Sequence, residues 1–270
     1  MNHTMSKSVR WFFVEMALLA MFQGVALGSV PGPGGTLSAI LQPEPVTLTP
    51  VTNMAQPTQV VAGNIFDGLV YYDRDLTPKP ALAESWDVSA DGLNITFHLR
   101  KDVTWHDGKP FSAADVKWSL ENVWKTIHPR NKTLFESVEK VDTPDAYTVV
   151  LTLSTPSLPV LSVINGVGSI ILPRHLYEGT DILNNPYNNA PVGTGAFIFR
   201  EWSRGEYIVL EKNPNYWDKG KPYLDKIIFR IIPDASSRAA ALEKGEVQYA
   251  PYNPVPFRDV SRLAGLPGLI

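Results

Sequence analysis

Residues 95–116 read ITFHLRKDVTWHDGKPFSAADV, and this stretch indicates the fold class. Over residues 95–99, apolar and polar side chains alternate, which is typical of a strand with one buried face. Residues 106–109 (HDGK) predict a turn whose glycine takes a positive φ. Ser112, with Asp115 three positions later, predicts the capped start of a helix. A strand, a turn and a helix in close succession favour a chain of mixed α and β structure.

Similar signals continue on both sides of this stretch. Residues 89–92 (SADG) predict a hairpin turn, and residues 149–153 alternate like a second strand. A helical pattern runs over residues 56–72. Residues 227–232 are almost continuously apolar, which predicts a strand buried on both faces. Asp234 is placed to cap a further helix. With no regular repeat, the pattern predicts an α/β or α+β fold.

The composition excludes several classes of function. The chain has 270 residues, of which 44% are hydrophobic, and seven tryptophans, so it can bury a sizeable core. A net charge of −3 gives no electrostatic reason to expect a nucleic-acid partner. The absence of cysteine excludes disulfides, thiolate catalysis, cysteine-ligated metals and lipid attachment through an N-terminal cysteine.

No motif predicts catalysis. Gly193-Thr194-Gly195 lacks the Lys-Ser/Thr pair of a phosphate-binding loop and runs into a strand pattern. The five histidines have no metal-ligand spacing, and His106, beside Asp107, is interpreted as a hairpin residue. We therefore predict that the chain is not an enzyme and has no cofactor and no metal site.

The N-terminus predicts an export signal over residues 1–28. Lys7 and Arg10 precede a mostly apolar stretch, residues 11–27, and Ala26-Leu27-Gly28 offers small residues for cleavage. The alternative is a buried helix or an uncleaved anchor, because about 20 apolar residues suffice to span a membrane.

Three blocks of sequence identify a resemblance to a known family. The blocks are 81–86 (ALAESW), 91–93 (DGL), 96–101 (TFHLRK), 105–111 (WHDGKPF) and 114–116 (ADV); 191–197 (PVGTGAF) and 213–217 (NPNYW); and 222–226 (PYLDK), 232–235 (IPDA) and 245–247 (GEV). In this order they closely resemble the family 5 solute-binding proteins, which are receptors for oligopeptides, dipeptides and nickel complexes. The resemblance covers about residues 38–247 and implies a two-lobed receptor that closes on its ligand by hinge bending.

The resemblance also implies a division of the chain. Residues 29–56 and 189–254 would form a lobe of the type II periplasmic-binding-protein kind, and residues 57–188 an accessory subdomain. Residues 255–270 would begin the crossover to a second lobe. Members of the family are about twice as long, so we expect the second lobe to be missing, either because this is a fragment or because the gene product is truncated.

One proline-rich segment is the candidate ligand site. Residues 43–50 contain three prolines, which excludes a helix or a central strand. The residues alone predict either a surface loop or an extended segment with free backbone groups. By similarity, Glu44, Pro45, Val46 and Thr47, together with Asn53, would face the ligand, and backbone pairing to a peptide would tolerate many sequences.

The expected function is that of the periplasmic substrate-binding component of an ABC importer. The resemblance implies a peptide or similar small ligand, the membrane permease subunits as partners, and a monomer. The charge and the absence of cysteine predict no nucleic-acid partner and no lipid anchor. Alternatives are a nickel–chelator or opine receptor, or a sensory or vestigial half-receptor that does not transport. We also expect a single lobe to bind peptide weakly or not at all, a hypothesis that micromolar binding would refute.

Overall fold

The computed structural model describes residues 33–51, 53–252 and 255–266. The strands are β1 (Thr36–Ile40), β2 (Val70–Tyr72), β3 (Pro78–Pro80), β4 (Ala83–Val88), β5 (Asn94–Leu99), β6 (Val138–Asp145), β7 (Thr148–Leu153), β8 (Phe197–Ser203), β9 (Tyr207–Lys212) and β10 (Lys226–Arg230). The helices are α1 (Gln56–Ile65), α2 (Ala113–Ser119), α3 (Asn131–Leu134), α4 (Leu158–Val163), α5 (Arg174–Tyr177), α6 (Ala235–Glu243) and α7 (Phe257–Ala264). The predicted mixture of α and β structure is confirmed, and the predicted export signal lies outside the described residues.

Three short helical segments complete the architecture. A π-helical segment, Leu120–Trp124, continues directly from α2, and two 3₁₀ turns, Ile182–Asn184 and Pro186–Asn188, precede β8. Prolines and asparagines in the 3₁₀ turns favour such tight local structure over a longer helix. The second turn is important for the site, because Asn188 contacts the proline-rich segment.

The first sheet has the strand order β1-β10-β9-β8. β1 runs parallel to β10, whereas β9 is antiparallel to both of its neighbours, β10 and β8. On its other side, β1 meets Tyr249 in a parallel bridge, where the Ile40 N–H donates to the Tyr249 carbonyl at 2.9 Å. β1 therefore lies between two stretches of chain that come far later in the sequence.

The second sheet has the order β4-β5-β7-β6 and is antiparallel throughout. Every second residue of β5 and β7 is buried, which confirms the strands predicted from the alternating pattern. Gly92, with φ of 70°, lies in the turn between β4 and β5 and confirms the predicted hairpin. The strands of this sheet come from one continuous part of the chain, residues 83–153.

Both predicted helix caps form. At the start of α2 the Ser112 N–H donates to the Asp115 carboxylate at 2.9 Å, as a capping box requires. At the start of α6 the Asp234 carboxylate accepts from the Ser237 N–H at 2.7 Å. After α6, Gly245 takes a φ of 69° and ends the helix.

Two expectations were wrong in part. The helical pattern predicted over residues 56–72 ends at Ile65, and residues 70–72 form β2 instead, paired with β3. β10 is a strand as predicted, but its burial alternates: Ile227 and Phe229 are buried and Arg230 is exposed. The physical reason is that only one face of β10 packs into the main core.

Two hydrophobic cores stabilise the described residues. The larger contains the buried face of the second sheet, α1, α2 and the inner face of β8–β10. The smaller lies beyond β1 and is formed by Ile40, Ala239, Ala241, Leu242, Val247 and Leu263. In the part of the chain that the structure describes, no helix is both long enough and apolar enough to cross a membrane.

Candidate functional site

The carboxyl end of β1 is the candidate functional site. β1, β10 and the bridge at Tyr249 are parallel, so the segments that follow them leave the first sheet at the same edge. The Leu41 N–H, just past β1, still donates to the Arg230 carbonyl at 2.9 Å. Ligands of open α/β sheets bind beyond the carboxyl ends of the strands, where connecting segments supply the contacts.

The proline-rich segment leaves β1 at this edge. Pro45 is buried, whereas the Val46 side chain next to it is 73% exposed. The Val46 backbone forms no hydrogen bond with the described part of the chain. The chain bends at Val46, so of the two predicted alternatives the structure shows a surface loop, whose free N–H and C=O can hydrogen-bond to the main chain of a ligand.

Glu44 is turned away from the open side of the segment. Its carboxylate oxygen Oε1 accepts from the Trp202 indole N–H at 2.9 Å and from the Gly205 N–H at 3.0 Å. Both donors belong to β8 and the turn after it. The Glu44 side chain therefore ties the segment to the first sheet, and its backbone is the part left available to a ligand.

Thr47 is also held by the protein. Its hydroxyl donates to the Asn188 carbonyl at 2.9 Å, and the Leu48 N–H donates to the same carbonyl at 3.0 Å. The Thr47 carbonyl accepts from the Thr58 hydroxyl of α1 at 3.0 Å. The segment that we predicted to face a ligand is thus anchored at both ends and open at Val46.

Asn53 lies apart from this opening, on the approach to α1. Its side-chain oxygen accepts from the Ala55 N–H at 2.8 Å, which forms a turn immediately before the helix. The side chain is partly buried. Asn53 is connected to the other predicted site residues through α1, whose Thr58 holds Thr47.

A small cavity beside the segment contains residues that the sequence did not indicate. Its volume is about 120 Å³, and its lining includes Gln42, Pro43, Gln56, Pro57, Pro251 and Tyr252. Tyr252 is 58% exposed and has a φ of 61°, a conformation that costs a residue with a side chain about 1–3 kcal/mol. No local sequence signal predicts this strain, because it depends on how the chain returns to β1.

A larger groove, of about 720 Å³, lies near the amino end of β1. Seven of its twenty lining residues are aromatic, among them Phe66, Tyr71, Tyr216, Trp217 and Tyr223. The Gly34 N–H, before β1, donates to the Tyr223 carbonyl, which places this groove at the opposite end of β1 from Val46. Its size alone would favour it as a ligand site.

One charged group of this groove, the Asp67 carboxylate, is already occupied by protein contacts. The Asp67 carboxylate accepts from Trp217 Nε1 at 2.9 Å and from the hydroxyls of Tyr216 and Thr194, both at 3.2 Å. Burial raises the pKa of the Asp67 carboxyl, and the three hydrogen bonds oppose that rise only in part. Asp67 therefore fixes the end of α1 to two connecting segments, which is a structural role.

His106, in a turn between β5 and α2, holds the same junction. Its Nδ1 accepts from the Gly193 N–H at 3.2 Å, and its Nε2 lies 3.0 Å from the Gly195 carbonyl, which requires the Nε2–H tautomer. Burial lowers the pKa of His106 to about 4. The interpretation of His106 as a simple hairpin residue missed this contact, which joins segments 87 residues apart.

Glycine is required at the two positions where the segment before β8 comes closest to the end of α1. A Cβ on Gly193 would lie 1.9 Å from the Ile65 carbonyl oxygen, and one on Gly195 would lie 2.6 Å from it. The Gly193-Thr194-Gly195 sequence thus serves close packing against α1. Among the described residues, no group of three or more His, Asp or Glu side chains could hold a metal ion.

Comparisons with known proteins place this architecture in a family. The model of the bacterial extracellular solute-binding proteins, family 5 Middle, matches residues 77–265, well over half of the chain. The glutathione-binding protein GsiB of Pectobacterium atrosepticum is 36% identical over 212 residues, which are 76% of this chain and 39% of that protein.

Solved structures agree with this relationship. The binding protein AgaA of A. tumefaciens R10, in complex with agropinic acid, is 39% identical with a TM-score of 0.76 and is matched over 86% of this chain and 46% of its own. The oligopeptide-binding protein AppA of Bacillus subtilis, in complex with a nonapeptide, is 28% identical with a TM-score of 0.79, over 88% of this chain and 47% of its own. The chain spans less than half the length of these proteins, and it belongs to the family 5 bacterial extracellular solute-binding proteins.

Proposed function

We propose that this chain carries one wall of the ligand cleft in the periplasmic substrate-binding component of an ABC importer. The observation that carries the proposal is the backbone of the exposed residue Val46, beyond the carboxyl end of β1, which forms no hydrogen bond with the described part of the chain. Membership of the family supports the same role. Glu44 to Thr47 would pair with the main chain of a peptide or peptide-like nutrient, and the permease subunits would be the partners.

The arrangement favours a ligand recognised mainly through its backbone. The Glu44 carboxylate is engaged by Trp202 and Gly205. Backbone pairing provides affinity without reading side chains, so this wall would accept ligands of several sequences. The charged groups that select one ligand would then come from elsewhere in a complete receptor. The division into residues 29–56 and 189–254 as lobe and 57–188 as accessory subdomain is part of the same proposal.

Nuclear magnetic resonance titration of the chain tests this function. The probes are glutathione, the dipeptide Met-Leu, the tetrapeptide Ser-Thr-Ser-Ala and agropinic acid, which are ligands of binding proteins similar to this chain in sequence or fold. We expect weak binding, with a Kd in the millimolar range, and chemical-shift changes centred on Val46 and Tyr252. Changes centred on Tyr71 and Tyr223 would move the site to the aromatic groove, and no change with any probe would contradict the proposal.

A further inference from the structure

We propose that Trp202 and Asn188 are positioning residues for ligand capture. Each holds one end of the segment 44–48, so that the bent backbone at Val46 is kept in one conformation, with its N–H and C=O free, before a ligand arrives. This inference rests on the proposed function, because it assigns these residues a role at the same site. Neither residue lies in the proline-rich segment itself.

Trp202 holds the first end. Its indole N–H donates to Glu44 Oε1 at 2.9 Å, and the Gly205 N–H donates to the same oxygen at 3.0 Å. The guanidinium of Arg204 lies over the Trp202 ring, with its central carbon 3.3 Å from the ring centre. Because the indole is stacked on one face and belongs to β8, it can hold Glu44 in one orientation.

Asn188 holds the second end. Its backbone carbonyl accepts from the Thr47 hydroxyl and the Leu48 N–H, and its side-chain oxygen accepts from the Thr49 hydroxyl at 3.1 Å. The same oxygen accepts from the Tyr177 hydroxyl, also at 3.1 Å. The Asn188 side-chain amide is in turn occupied by the carbonyls of Ile182 and Leu183. Asn188 is buried, and both its side-chain oxygen and its side-chain amide nitrogen are hydrogen-bonded within the protein. It can therefore hold the segment in a fixed position.

The two anchors leave little freedom between them. Pro45 has a fixed φ and no N–H, and Val46 supplies the one free N–H of the pair. A segment that is already held in one conformation loses less conformational entropy when a ligand pairs with it. Loosening either anchor should therefore weaken main-chain recognition in particular, rather than all contacts with a ligand equally.

A double-mutant cycle between protein and ligand tests this inference. Trp202→Phe removes the indole donor and keeps an aromatic ring. The ligands are Met-Leu and the same dipeptide with its peptide nitrogen methylated, which removes a main-chain donor. We expect Trp202→Phe to weaken Met-Leu binding about three- to tenfold and binding of the methylated dipeptide less than about twofold.

A second variant tests the other anchor without changing Asn188. Thr47→Val removes the hydroxyl that donates to the Asn188 carbonyl and preserves the side-chain shape. We expect the same pattern with a smaller effect, about two- to fivefold. The matched control is Trp86→Phe in β4, where the ring packs against the core away from the segment, and it should leave the affinities for both ligands unchanged.

The outcomes separate this inference from the proposed function. If the unmodified chain binds neither dipeptide, the proposed function fails, and hydrogen exchange at Leu48 and Gly205 in Trp202→Phe still decides whether the anchors order the segment. If the unmodified chain binds Met-Leu and Trp202→Phe weakens both ligands equally, the effect is merely structural. That result, or affinities unchanged from those of the Trp86→Phe control, would overturn the inference.

Discussion

Two carboxylates in this protein, those of Asp67 and Glu44, each accept a hydrogen bond from a tryptophan, and their structural roles differ. Asp67 accepts from Trp217, Tyr216 and Thr194 at the junction between α1 and the segments that flank β8 and β9. Glu44 accepts from Trp202 and Gly205 at the edge of the first sheet. Three donors from two distant segments meet at Asp67, whereas both donors to Glu44 come from β8 and its turn.

The difference separates a contact that supports the whole fold from one that supports a local conformation. Removing Asp67 would leave three donors unsatisfied in partly buried positions, between elements that form the main core. Removing Glu44 would free one exposed segment while the sheet beneath it remains paired. We therefore expect loss of global stability in the first case and loss of local order in the second.

The largest expected effect is that of Asp67→Ala. Three hydrogen-bond donors lose their acceptor together, so the free energy of unfolding should fall by about 3 kcal/mol. Denaturant unfolding at pH 7 measures it, with Asp75→Ala as the control, because Asp75 is exposed and its carboxylate accepts no hydrogen bond from the described residues. Equal losses of unfolding free energy in Asp67→Ala and Asp75→Ala would contradict the global role assigned to Asp67.

We expect an effect of intermediate size on the free energy of unfolding when the pH is lowered, because His106 lies at the same junction as Asp67. The folded state lowers the pKa of His106 from its usual 6.5 to about 4, so between these values the unfolded chain binds a proton that the folded chain does not. This contribution to stability is complete above pH 6.5 and is lost as the pH falls towards 4. Since the ring is partly exposed, we expect a loss of about 1–2 kcal/mol after solvent screening.

His106→Gln provides the measurement of that effect. The free energy of unfolding, followed from pH 7 to pH 4.5, should decline less steeply in the variant than in the unmodified chain. Burial also lowers the pKa of His128 to about 4, so part of the decline should remain. A variant with the same pH dependence as the parent chain would show that His106 does not sense acid.

The smallest effect on global stability should come from Glu44→Ala. The segment is exposed at Val46, and Thr47 remains anchored to Asn188, so the free energy of unfolding should fall by about 1 kcal/mol or less. Amide exchange at Gly205 should nevertheless become faster, because its N–H loses its acceptor. A loss of unfolding free energy as large as that of Asp67→Ala would mean that the two carboxylates contribute equally to global stability.

Local patterns predicted much of this architecture. The alternation around Phe97 and Leu151, the turn at Gly92 and the caps at Ser112 and Asp234 each depend on residues within a few positions of one another. Such contacts can be inferred from spacing alone. The family resemblance predicted the type of lobe and the assignment of Glu44 to Thr47 as residues that face the ligand.

The contacts that sequence reasoning missed are all long-range. Asp67 meets Trp217 across 150 positions, and Glu44 meets Trp202 across 158. Nothing in the neighbourhood of either carboxylate indicates its partner, because the partner depends on how the fold brings distant segments of the chain together. The strain at Tyr252 and the burial of Asn188 have the same origin.

The pairing of β1 has a consequence for the order in which the molecule assembles. β5 and β7 lie close in sequence, so the second sheet can form as soon as residue 153 is available. Thr36 pairs with Lys226, and contacts of such high sequence separation form slowly because a long loop must first close. Among the described strands, β1 therefore finds its partners late, and until then its apolar residues can aggregate with other chains.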